Sequence, residues 1–120
     1  MSKRKAVIFD LNNTLRNKNG NPRKHILNKA KKDEKYEEVV ILSTEQAKKH
    51  NEARSWLDSH GLKDAELKMR PKGAVEHDEK VKADILSKDV SRQFKVNEAY
   101  DDKKANVNMF KNHGIKAKKV

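Results

Sequence analysis

Two short runs, Ala6-Val7-Ile8-Phe9 and Val39-Val40-Ile41-Leu42, hold the densest apolar material in the chain. Each stops abruptly at a polar residue, Asp10 and Ser43. With 39% of residues charged and 34% hydrophobic, a core has few other places to form. Continuously apolar, β-branched runs of this length suit strands of a parallel sheet covered on both faces, since half-exposed strands alternate. The first run carries a second constraint. A carboxylate at the end of a buried strand is costly unless something uses it, so Asp10 demands a function.

The rest of the chain supplies partners for those strands. Residues 11–24 contain asparagines, Gly20 and Pro22 and read as a loop. Lys24 to about Tyr36 suits a polar helix with Ile26, Leu27 and Ala30 inward. Ser43, followed three residues later by Gln46, forms a capping-box pattern. The helix it opens has Ala53, Trp56 and Leu57 on one stripe and stops at Gly61. A third strand is expected at Glu66–Met69, ended by Pro71 and Gly73. A helix from Asp78 to Leu86 follows, with Val81, Ile85 and Leu86 inward. Phe94–Tyr100 reads as a fourth strand leading to Asp101-Asp102. A last helix carries Val107 and Phe110 inward and ends at Gly114, and Ile115–Val120 gives a fifth strand. Strands alternating with helices predict one α/β domain over residues 1–120, a three-layer sandwich around a mostly parallel five-stranded sheet.

In such a sheet right-handed crossovers bring the C-terminal strand ends to one edge, where ligands bind. That edge gathers Asp10, Ser43 with Thr44, and Asp101 with Asp102. Carboxylates without thiols suit a hard cation bound by oxygen, Mg²⁺ above all. The chain has no cysteine, which excludes disulfides and thiolate metal sites. Its five histidines show no metal-ligand spacing and read as surface residues. Asp10 has the position for a nucleophile on phosphorus. Ser43 taken alone reads first as a helix cap and second as a phosphate contact, and the two roles are compatible. Asp101-Asp102 taken alone also reads as a helix N-terminal cap.

The formal net charge of +11 favours encounter with polyanions such as nucleic acid; the same lysines also serve solubility. The basic N-terminus, Met1 to Lys5, precedes an apolar stretch that ends at Asp10, which is not the pattern of a signal peptide. No apolar run approaches a membrane span. The expectation is a cytoplasmic monomer with no membrane contact. No Gly-rich nucleotide loop is present.

These motifs, in this order, carry a resemblance. VIFDLNNTL resembles the first motif of the haloacid dehalogenase-like phosphohydrolase superfamily, an apolar strand ending in DxDxT. VVILST resembles its second motif and AYDD its fourth. LKMRPKGAVEHDEKVKADIL is similar to the 3′-phosphatase module of phage-type polynucleotide kinase/phosphatase proteins, where Asp-x-x-x-Lys enters a helix; Asp78 and Lys82 match that spacing. The resemblance implies the superfamily's Rossmann-like fold without a cap domain. It implies a Mg²⁺-dependent phosphatase acting through an aspartyl-phosphate, on a phosphorylated substrate such as a nucleic-acid 3′ end. Asp10 would be the nucleophile and a metal ligand. Asn12 would offer its main-chain carbonyl to the metal, and one of Asp101 and Asp102 would complete it. Lys82 would pair with the nucleophile and phosphate, steadied by Asp78 or by the acidic pair. Thr14, Ser43, Thr44 and Asp78 would face the substrate.

The chain departs from the pattern at Asn12, where the superfamily has the acid that protonates the leaving oxygen and later activates water. An amide does neither, a loss of ~10²–10⁴-fold in rate. Glu45 stands where repulsion of phosphate is expected, and no arginine of the loop after the first motif is securely in register, Arg16 and Arg23 being the candidates. Lys95, Asn97 and Glu98 are poor residues for a central strand. The alternative is therefore a catalytically inactive domain of the same fold that binds nucleic acid or a phosphate-bearing partner.

Overall fold

A computed structural model describes residues 3–120; Met1 and Ser2 of the basic N-terminal segment lie outside it. The elements run β1 (Arg4–Phe9), α1 (Lys24–Asp33), β2 (Glu38–Gln46), α2 (His50–Ser59), β3 (Glu66–Arg70), α3 (Asp78–Ile85), α4 (Ser91–Gln93), β4 (Phe94–Asp101), α5 (Lys104–Asn112) and β5 (Lys116–Lys119). The five strands form one parallel sheet in the order β3-β2-β1-β4-β5. The two apolar runs are thus adjacent at its centre, with Val7 opposite Val39 and Phe9 opposite Ile41.

Alternate residues of these strands feed two cores. Val7, Phe9, Val39 and Ile41 pack with Ile26, Leu27 and Ala30 of α1 and with Ala53 and Leu57 of α2. Ala6, Ile8, Val40 and Leu42 pack on the other face with Val81 and Ile85 of α3 and Phe110 of α5. The three-layer α/β sandwich expected from the sequence is the observed fold. One helix and a loop separate β1 from β2, and no cap domain stands between them. Among the described residues no helix is long and apolar enough to cross a membrane.

The polar fourth strand has a local explanation. The β1–β4 register pairs Ala6 with Val96 but Val7 with Glu98, so Asn97 is the extra residue of a β-bulge. The bulge breaks the alternation: Phe94 and Val96 precede it on the face later taken by Ala99. Glu98 is half-buried and accepts a hydrogen bond from the Tyr100 hydroxyl at 2.5 Å. The strand is central after all, and its polar residues cluster at the bulge.

Several boundaries differ from expectation, α1 ending at Asp33 instead of near Tyr36. The capping box at Ser43 does not form, because β2 continues to Gln46, which pairs with Arg70 of β3. A 3₁₀ turn, Ala47–Lys49, then leads into α2. Sheet pairing overrides the local cap signal. The α2–β3 connection is held by Arg54, which donates to the carbonyls of Leu62 and Ala65 at 2.6 Å each. Helix α3 continues through a π-helical turn at Leu86–Val90 into α4. The fifth strand is shorter than expected and three of its four residues are lysines, which guard a sheet edge against pairing with another chain.

Leu57 is fully buried between α2 and the sheet. Leu57→Ala is expected to cost about 2–5 kcal/mol in urea unfolding, against less than about 0.5 kcal/mol for the exposed Lys49→Ala. Equal effects would contradict the packing of α2.

Candidate active site

The C-terminal edge of β1, β2 and β4 builds the site. Asp10 follows the last residue of β1, and its main-chain N–H donates to the Tyr100 carbonyl at 2.9 Å, which ties it to β4. The chain then turns tightly. Leu15 and Arg16 donate main-chain bonds to Leu11, Leu11 and Leu15 are fully buried, and Asn13 takes a positive φ of 64°, a conformation asparagine tolerates. This turn points the Thr14 hydroxyl at Asp10, to whose Oδ2 it donates at 3.0 Å. Thr14 is fully buried; its hydroxyl orients the carboxylate.

The other oxygen of Asp10 accepts from Lys82 Nζ at 2.8 Å, and the same ammonium donates to Asp101 Oδ2 at 2.6 Å. Lys82 is 1% exposed, whereas Lys80 is exposed and pairs with Asp84 along the helix. The lysine picked out by its spacing from Asp78 is therefore the one that reaches the site. Asp78 lines the same cavity but makes no hydrogen bond or ion pair with Lys82. Its carboxylate accepts from Arg70 at 2.7 Å and Lys103 at 2.5 Å. Burial opposes ionisation of Asp78, but Lys103 and Arg70 hold its carboxyl below the usual range. Asp101, from the acidic pair, is what steadies Lys82.

Asp10, Asp101 and Asp102 each bring a carboxylate oxygen within 4.8 Å of the others. Burial, with the charge of Asp101 adding and Lys82 opposing, pushes the Asp10 carboxyl up to about 7. Burial works against the Lys82 ammonium, but Asp10 and Asp101 together push it above its ordinary value. With Asp10 ionised, one buried cation faces three carboxylates, which leaves two negative charges that a divalent cation matches. Asp101 Oδ1 also accepts from the Lys103 N–H at 3.0 Å and Asn106 Nδ2 at 3.2 Å, so both its oxygens are engaged. Asp102 lines the cavity and accepts no hydrogen bond from a lysine, arginine or main-chain donor among the described residues.

The cavity over Asp10 is lined by Asn12, Ser43, Thr44, Asp78, Lys82 and Asp102, among others, and measures about 170 Å³. This falls below the ~300–1,000 Å³ of pockets that engulf a small-molecule ligand. Ser43 is buried and its Oγ accepts from the Glu45 N–H at 3.1 Å, leaving its own proton free. Glu45 turns away from the cavity toward Arg16, at 3.7 Å.

Arg16 is not available to a substrate. It is buried, donates through Nε to Asn12 Oδ1 at 2.8 Å and pairs with Glu52 at 2.9 Å, while its guanidinium lies over Trp56, 5.5 Å from the ring centre. Because Asn12 Oδ1 is spent on Arg16, its NH₂ is the free end. Trp56, half-buried, also donates to the Gly20 carbonyl.

Three contributors escaped the sequence. Arg70 and Lys103 are hidden among 29 basic residues. Asn106 is 2% exposed and lines the cavity, and its Oδ1 has no hydrogen-bond partner among the described residues. A polar residue on the inner stripe of α5, beside Val107 and Phe110, is the signal that marks it.

No curated protein sequence matches the chain. Among solved structures, the chain superposes on one described as "Structure of the Pnkp1/Rnl/Hen1 RNA repair complex", with a TM-score of 0.91 and 20% identity over 98% of this chain and 42% of that one. A second, "Structure of Pnkp1/Rnl/Hen1 complex", gives 0.89 and 21% over 100% and 47%. At such identity the likeness shows the fold, and the chain spans less than half the length of either match. The family described as "Polynucleotide kinase PNKP phosphatase domain" matches residues 4–120, so the chain belongs to that family, a branch of the haloacid dehalogenase-like phosphatases.

Proposed function

We propose that this domain is a Mg²⁺-dependent phosphohydrolase acting on phosphorylated polynucleotide ends, 3′-phosphates in particular, with its turnover slowed by Asn12. The observation that carries the reading is the buried bridge from Lys82 to Asp10 and Asp101, placed beneath a cavity of phosphoryl size.

The residues fit the ion. Asp10, Asp102 and the main-chain carbonyl of Asn12 would hold Mg²⁺, with Asp101 kept in place by Lys82, the Lys103 N–H and Asn106. The unpartnered Oδ1 of Asn106 is an acceptor where a hydrated cation brings water donors. Bound there, the ion would offset charge on the phosphoryl oxygens. Asp10 then attacks phosphorus as the bond to the leaving oxygen breaks, while the Ser43 hydroxyl and the third N–H of Lys82 contact the phosphoryl group. Thr14 holds Asp10 at the angle of attack. Nothing at position 12 protonates the leaving oxygen or activates water, so good leaving groups are favoured and the phospho-Asp10 form turns over slowly.

The family relation and the net charge of +11 support a nucleic-acid substrate. Both similar solved structures are of a multi-protein complex, which supports a domain that works in association with other chains rather than as a monomer. Asn12 favours one second reading, an inactive domain that retains phosphate binding.

With Mg²⁺ and an aryl phosphate, Asn12→Asp is expected to raise kcat by about 10²-fold or more. Arg16 Nε meets the new carboxylate as it meets the amide, so the change fits the fold. Slow wild-type turnover with this gain supports the enzyme; no turnover in either form, with phosphate binding retained, supports the inactive domain.

Mg²⁺ binding is expected to depend on pH. The Asp10 carboxyl sits near 7 when folded and near ~3.9 when unfolded. The folded form holds that proton more tightly, so this group's contribution to metal-free stability falls as pH rises from about 4 to 7. Ionised Asp10 is the form that binds the cation. The Mg²⁺-induced rise in the thermal midpoint is therefore larger at pH 8 than at pH 6, read by thermal unfolding; an equal rise at both would refute the role of Asp10.

A further inference from the structure

A cavity of about 170 Å³ seats a phosphoryl group and little else, so the body of a polynucleotide must leave it along the surface. Three neighbouring grooves offer a path, and their charges separate them. The largest, about 620 Å³, runs between β3 and α3, and its walls mix Lys68, Lys72 and Lys88 with Glu76, Asp84 and Asp89. A second, about 470 Å³, opens beyond Asn12 and Asn13 and holds Glu45 and Glu52; the buried Arg16 is already paired with both. A third, about 490 Å³, lies between the Gln46–Lys48 turn and the Arg70–Val75 segment. It carries Lys48, Arg70 and Lys72 and no carboxylate.

Arg70 links the third groove to the cavity. Arg70 donates to the Thr44 carbonyl at 2.8 Å and to Asp78 at 2.7 Å, both on the cavity wall. Its other nitrogen donates to the carbonyls of Ala74 and Glu76. Arg70 is thereby spent on fixing the loop, and Lys48 and Lys72 remain exposed with no ion pair among the described residues. Between them lie Ala47, Pro71 and Val75, the last 92% exposed. Apolar surface that packs on the flat face of a base, bracketed by cations at the backbone, is the chemistry of a single nucleic-acid strand.

We infer that a single strand leaves the active-site cavity along this groove, with bases against Pro71 and Val75 and phosphodiesters at Lys48 and Lys72. The inference rests on the proposed reading of the site and assigns its substrate a path. The test measures binding of a 3′-phosphorylated single-stranded 12-mer by fluorescence anisotropy across a salt series. Lys48→Glu/Lys72→Glu is compared with Lys111→Glu/Lys118→Glu, which makes the same charge change at exposed positions of α5 and β5, the latter at the opposite edge of the sheet. The groove pair is expected to weaken binding about 10–100-fold and to flatten log K against log salt by ~0.7 per lost contact. The remote pair changes Kd by about twofold or less. Val75→Ser weakens binding about threefold with an unchanged salt slope, since an apolar contact releases no counterions. Equal losses for the two lysine pairs would mean diffuse attraction and overturn the path, as would tight competition by polyglutamate of the same charge. A wild-type protein that binds no 12-mer also overturns it. The phosphatase reading fails separately, through an absent Mg²⁺-induced rise in thermal midpoint and absent aryl phosphate turnover with Asn12→Asp.

Discussion

The buried ammonium of Lys82 holds the functional edge together. Its hydrogen bonds reach Asp10 at the end of β1 and Asp101 at the end of β4, two central strands that would otherwise end in facing carboxylates. Desolvating that many charges is unfavourable, and one cation does not cancel it. The site is left short of positive charge, a deficit that a bound cation would offset. A mutually satisfied ion pair would be inert.

Around that bridge the chain divides tasks by distance. Thr14 and Asn106 are buried and act on the carboxylates themselves. Arg70 and Lys103 act one step out, through Asp78. Arg16 acts on Asn12 from the other side, with Glu45 and Glu52 balancing its charge. The glutamate that the sequence placed near the phosphate is thus a counter-charge for an arginine. Asn12 sits in a well-made socket, so the loss of an acid at this position leaves the geometry of the turn intact.

The fold was legible because the chain has so little apolar material. Two β-branched runs had to be central strands, and their polar ends had to share an edge. Asp10, Lys82 and the acidic doublet were found from order and spacing. What escaped depends on long-range packing. Ser43 looked like a cap because a capping box is a local signal, whereas the strand pairing that extends β2 to Gln46 is not. The fourth strand looked wrong because one bulged residue, Asn97, shifts the period of everything after it. Asp78 matched a spacing, yet its partners come from β3 and the start of α5, which sequence distance does not reveal.

The basic residues themselves are of two kinds. Most lysines reach into water, but Arg16, Arg54 and Arg70 each use a planar fork to hold two separate groups at once: Asn12 with Glu52, Leu62 with Ala65, Thr44 with Asp78. A lysine carries its three donors on a single nitrogen and lacks the spread fork that reaches across those pairs. Over evolutionary drift, lysine and arginine should therefore interchange freely across most of this surface while these three positions stay closed to exchange, a pattern that homologous sequences would display as islands of fixed arginine in a sea of variable charge.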